Sequence, residues 1–151
     1  MHTFLKILTV TFLMLEAAGC GCTEVGCFTM VEIALDKTST VWEPGSYVVS
    51  VEADGVKNSC TVEMPFVAAP LCTDSHQLQL DLLPLSGPSP EIKGLKSAML
   101  FGASVLVKVT VARDGVALGT NIFMPQYTEV SPNGEICGPT CQVAAGELTV
   151  P

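Results

Sequence analysis

The chain is short of histidine, of basic residues and of aromatics: its 151 residues include two histidines, seven lysines and arginines together, and 6% aromatics. Beyond the first nineteen residues His76 is the sole histidine. General acid–base catalysis and nucleophile activation usually lean on an imidazole beside a carboxylate or thiol. Asp74-Ser75-His76 spells three triad residue types, but neighbours in an extended loop cannot converge on one substrate atom as a triad must. The segment therefore reads as a solvated loop. A GxSxG elbow, a phosphate-cradling glycine loop and HExxH are all missing from the sequence, so no catalytic residue is expected.

The shortage of bases excludes a second class. Lys6 and Glu16 precede Cys20, so from Cys20 onward six bases stand against fourteen acids, net −8. Nucleic acid and anionic lipid need clustered Lys and Arg to displace counterions, and both are disfavoured as partners. The acids are scattered, which suits solubility. Calcium at Asp54 or Asp114 would need several converging oxygens, and an Asp-Gly pair is ordinarily a turn. A glycosidase would need two acids facing across a cleft, for which one small domain has little room. No cofactor or metal is expected.

Long apolar runs are also missing. Met1 to Gly19 reads as a short start carrying Lys6, an apolar run from Ile7 to Leu15, and small residues. That run is far below the roughly 20 residues of a permanent membrane helix; the layout is that of a signal peptide over 1–19. It also inflates the mean hydropathy of +0.48. The rest alternates apolar with polar residues, and the remaining length suits one domain.

Cysteine is present in quantity. There are seven, and an odd thiol in an oxidising compartment invites cross-linking. Ala17-Ala18-Gly19-Cys20 resembles the lipobox of bacterial lipoproteins, with Ala17 where that family prefers Leu. The resemblance implies cleavage before Cys20 and a diacylglycerol thioether plus an amide-linked acyl chain, such as palmitate, on Cys20. More than one chain is what stable anchoring needs. An ordinary signal peptidase would cut the same bond and leave Cys20 as a plain thiol. Gly21, where enteric bacteria use Asp for inner-membrane retention, points to the outer membrane, facing the periplasm or the cell surface. Residues 20–26 then form a tether and 27–151 the domain.

Six cysteines remain: Cys22, Cys27, Cys60, Cys72, Cys137 and Cys141, enough for three bridges. Cys60 and Cys72 bracket about a dozen residues, a loop whose closure contributes on the order of 3 kcal/mol. The other four lie near the domain's two ends, where Cys22 or Cys27 could tie the first strand to the last through Cys137 or Cys141. Cys137 to Cys141 has one residue too many for a redox CxxC, and Cys22 and Cys27 are too widely spaced for a zinc knuckle.

Period-two alternation predicts strands. Val31, Ile33 and Leu35 mark the first. Tyr47, Val49 and Val51 mark the second, turned by Asp54-Gly55 into a return with Val56, Cys60, Val62 and Met64 on one face. Leu78, Leu80 and Leu82 mark another, and Pro84 to Pro90 reads as a loop. Lys96 to Phe101 is ambiguous between strand and short helix. A strand from Ser104 carries Val105, Val107, Val109 and Val111, Asp114-Gly115 turns it, and Val116 to Phe123 returns. A Pro132-Asn133-Gly134 turn precedes a closing strand around Glu147 to Val150.

A DGV–seven residues–MP string occurs at Asp54 to Pro65 and again at Asp114 to Pro125, sixty residues on. Either one hairpin was duplicated, or a β-meander reuses valines and Asp-Gly turns. With no long amphipathic helix and many Gly and Pro turns, the expected fold is all-β, a single antiparallel β-sandwich. Trp42 and Tyr127 read as core plugs more readily than as ligand-stacking platforms.

The stretch Trp42 to Gly55, with Pro44-Gly45-Ser46-Tyr47 and Asp54-Gly55, resembles the PGxYxVxVxxDG signature of carboxypeptidase-regulatory-like and other prealbumin-like β-sandwich modules, an Ig-like architecture. The resemblance implies a Pro-Gly turn into a strand whose Tyr packs inside. The chain as a whole resembles uncharacterised cysteine-containing bacterial lipoproteins, which implies no activity. The expected role is that of a non-enzymatic envelope lipoprotein, held to the membrane through Cys20, whose domain is structural or binds another envelope protein. The alternative is a carbohydrate- or calcium-binding module.

Overall fold

The computed structural model describes residues 26–38, 41–84 and 92–151. Its strands are β1 (Met30–Lys37), β2 (Gly45–Ala53), β3 (Val56–Met64), β4 (Leu71–Cys72), β5 (Leu78–Pro84), β6 (Ile92–Phe101), β7 (Val107–Arg113), β8 (Val116–Phe123), β9 (Thr128–Val130) and β10 (Cys141–Val150). No helix occurs among the described residues. The first sheet has the order β5-β6-β1-β10-β9 and the second β4-β3-β2-β7-β8. Their inner faces share one apolar core, the arrangement of a β-sandwich.

Alternation sets which side chains enter that core. Val31, Ile33 and Leu35 of β1 are buried, as are Tyr47, Val49 and Val51 of β2 and Val107, Val109 and Val111 of β7. A one-residue slip would turn each set to solvent, so burial fixes the register. The segment left between strand and helix is strand β6, paired with β1 and β5. Pairing is antiparallel throughout the described residues except between β1 and β10, which run parallel from Met30↔Val143 to Lys37↔Val150.

Three expectations need correction. Val56 has the inward parity of its strand but is 58% exposed, because it lies at the hairpin tip; Asn58 fills the next inward position. Val105 is 75% exposed and precedes β7. The closing strand is much longer than Glu147 to Val150, beginning at Cys141. The expected Pro-rich loop lies, beyond Pro84, outside the described residues.

The two Asp-Gly hairpins sit side by side, joined by β2 and β7. Positive φ at Asp54 (50°), Gly55 (86°), Asp114 (51°) and Gly115 (81°) makes both turns the type that matches strand twist. Each turn also holds the other hairpin. Asp54 N–H donates to Leu106 O at 3.1 Å, and Asp114 N–H to Ser46 O at 2.9 Å. The Asp54 Oδ1 accepts from Leu106 N–H at 3.0 Å, and Asp114 Oδ1 from Ser46 N–H at 2.9 Å. Leu106 and Ser46 are again sixty apart, so the contacts are reciprocal, which favours duplication over coincidence. The likeness ends at a bulge in β8 after Val116 and Ala117: Cys60 points into the core, whereas Thr120, sixty residues on, is exposed.

Candidate functional site

Four of the six disulfide candidates form two described bridges. Cys27–Cys141 closes a separation of 114 residues and fastens the entry segment to β10. Cys60–Cys72 links directly paired residues of β3 and β4, over a separation of 12. Cys137 is disulfide-bonded too. Cys20 and Cys22 lie outside the described residues, as do the signal peptide and most of the tether.

The remaining singled-out residues do structural work. His76 N–H donates to Asp74 Oδ1 at 2.9 Å, while Asp74 O accepts from Gln77 and Leu78. The Asp74 carboxylate thus closes a local turn. Trp42 is 6% exposed and meets Tyr47 edge-on at 5.2 Å, and the Tyr47 hydroxyl donates to Glu43 O at 2.9 Å. Burial raises the Tyr47 pKa, with the Asp114 charge adding to it. The Tyr127 hydroxyl accepts from Ser104 N–H at 2.7 Å. Trp42 is closed within the core, and Tyr127 is half-buried against it. Asp54 and Asp114 spend carboxylate oxygens on backbone N–H groups, and no cluster of three metal-binding side chains occurs among the described residues.

What the sequence did not single out is the outer face of the second sheet. Facing away from the core, Ser59, Ser50, Thr110 and Thr120 lie in one register row across β3, β2, β7 and β8. The Thr110 and Thr120 hydroxyls are 3.0 Å apart. The adjacent row is Lys57, Glu52, Lys108 and Ile122, so two of the six bases flank one carboxylate. Neither lysine forms an ion pair among the described residues, where the pairs are Lys96–Asp81 and Arg113–Glu43. Ser50, Glu52, Lys57, Lys108 and Thr110 line a shallow depression of about 110 Å³.

The first sheet spends its outward charge differently. Lys96 meets Asp81 at 2.6 Å, which raises the lysine's pKa through the hydrogen bond and the carboxylate charge. Ser97 donates to Glu32 at 3.1 Å. On the second sheet's outer face, by contrast, the Thr110 and Thr120 hydroxyls meet each other, and Lys57 and Lys108 have no ion-pair partner among the described residues. No family model, curated protein or solved structure matches this chain.

Proposed function

We propose that the chain is a non-enzymatic lipoprotein of the bacterial envelope, exported by residues 1–19, lipidated on Cys20 and held at the outer membrane. Its Ig-like or prealbumin-like sandwich is an interaction module that binds another envelope protein through the outer face of the second sheet. The carrying observation is the row Lys57–Glu52–Lys108 beside the hydroxyl row. In a chain of net −8, two lysines that have no ion-pair partner among the described residues orient an acidic partner patch that the rest of the surface repels. Bridges at Cys27–Cys141 and Cys60–Cys72 support an oxidising compartment.

Photo-crosslinking in living cells tests this. A photoreactive residue at Thr110 should give one defined envelope-protein adduct, lost on Lys57→Glu with Lys108→Glu, while the same probe at Glu129 on β9 should not. Equal adducts at both positions, or none at Thr110, reject the face. Fatty-acid labelling tests the anchor separately: equal incorporation in wild type and Cys20→Ala rejects it.

A second reading, carbohydrate binding, is favoured by the depression where Ser50 and Thr110 meet Lys57 and Lys108. Two ammonium groups there, with hydroxyls and the Glu52 carboxylate between the lysines as an acceptor, match a sugar carrying both carboxylates and free hydroxyls. Titration with uronic-acid oligosaccharides distinguishes the two. The calcium version has less support, because the Asp54 and Asp114 carboxylates are already engaged.

A further inference from the structure

One end of the sandwich gathers exposed apolar side chains from three connections. Phe28, 67% exposed, sits just before β1, its ring edge-on to Phe101 at 5.9 Å. Gly102 N–H donates to Thr29 O at 2.8 Å, which lays this entry segment beside the β6–β7 connection. That connection carries Val105 and Leu106, exposed, with their N–H groups held by Asp54. The β9–β10 connection carries Ile136, 90% exposed. It starts beside the Cys27–Cys141 bridge, where Val130 O lies 3.9 Å from Cys27 Sγ.

This is also the end from which the tether leaves. Cys27 lies seven positions after Cys20, and a fully extended chain over that offset spans at most about 25 Å. Cys27 is bridged to the start of β10, so the reach cannot grow by peeling the entry segment away. A lipid on Cys20 therefore holds Cys27, and with it this end of the sandwich, within about 25 Å of the bilayer. Large apolar side chains near that boundary gain by burial in it.

We propose that this end docks on the bilayer that holds the lipid, with Phe28 and Ile136 entering the headgroup–acyl boundary. The inference rests on lipidation of Cys20. The occupant is a zwitterionic lipid surface, because among the described residues this end offers apolar contact without a basic cluster: its nearest lysines, Lys57 and Lys108, flank Glu52, and Glu135, next to Ile136, opposes anionic lipid. The outer face of the second sheet then stands upright on the membrane, open to a partner from the side.

The test uses the full lipoprotein in phosphatidylcholine vesicles with brominated acyl chains. Ile136→Trp adds a reporter at the docking end. Val67→Trp adds one at the opposite end, at a site 76% exposed beyond the end of β3. Buried Trp42 supplies the same background in both. Docking predicts that the Ile136→Trp emission shifts to the blue and loses most of its added intensity to bromine, while Val67→Trp stays unquenched. Equal quenching, or none in either, overturns docking. The intact mass of the same preparations separates this from the anchor. A lipid on Cys20 without selective quenching rejects docking alone, and a mass without lipid rejects the anchor reading and docking with it.

Discussion

Ser50 and Thr110 face each other in register across β2 and β7 and are also each other's counterparts under the sixty-residue shift. Antiparallel strands that pair a residue with its own repeat are related by a local two-fold axis, here passing between these two hydroxyls. The Asp54 and Asp114 clamps lie at equivalent places about that axis.

Those clamps give the first prediction. Asp54→Ala should destabilise by about 1–2 kcal/mol, the range for charge-assisted bonds tempered by exposure. Asp114→Ala should cost less, because Asp114 holds Ser46 N–H whereas Asp54 holds both Val105 and Leu106. Asn at either position tolerates the positive φ and keeps one acceptor, so its loss should be smaller. Urea midpoints at constant slope check the ranking.

The bridges should differ in worth. Loop-closure arguments assign about 3 kcal/mol to Cys60–Cys72 and about 5 kcal/mol to Cys27–Cys141. The paired serine variants Cys27→Ser with Cys141→Ser should therefore lose more than Cys60→Ser with Cys72→Ser. A reversed order in denaturant titration would refute the loop-length account.

Cys137 is bridged, while Cys27, Cys60, Cys72 and Cys141 engage one another. Peptide mapping of the unreduced protein is expected to return Cys137 linked to Cys22, with the lipid on Cys20. A Cys20–Cys137 peptide would remove the anchor.

Gly94 has no room for a side chain, since a Cβ there would lie 1.7 Å from Cδ1 of Trp42. Gly94→Ala must displace the indole, at a cost of about 1–3 kcal/mol. Its signature is a changed near-ultraviolet circular dichroism and a red-shifted emission from Trp42, which a mere loss of strand propensity would not produce.

Tyr47 sets an alkaline limit. Its folded pKa is raised, first by burial and then by Asp114, whereas the unfolded phenol ionises near its ordinary value of about 10. The stability it contributes is whole below that value and is lost as pH climbs toward the folded pKa. In a Tyr127→Phe background, absorbance at phenolate wavelengths should rise above the ordinary tyrosine range and coincide with unfolding. Titration at the ordinary value in a still folded protein would contradict the buried phenol.

The parts of the fold legible in sequence are those with local causes. Valines at 49 and 51 and at 107, 109 and 111, bounded by Asp-Gly turns, dictate two hairpins without reference to the rest of the chain. Strands β4 and β9 are two and three residues long and exist through their partners, so Leu71 and Thr128 carry no signal of their own. The start of β10 is obscured by Ala144, Ala145 and Gly146, and its alignment with β1 joins residues over a hundred positions apart. The same holds for the site. Lys57 and Lys108 each read as outward residues, but only the β2–β7 register places both beside Glu52.

The parallel run of β1 and β10 has a mechanical consequence. A pull on the chain before Cys27 and after Val150 runs through the Cys27–Cys141 bridge and straight along β10, so the load bypasses the eight positions paired with β1. With that bridge reduced, the same pull would drag the two strands past each other, and their backbone bonds would yield together rather than unzip one by one. A domain held at its base while something draws on its far end thus keeps its core out of the path of the force for as long as this sulfur link is intact.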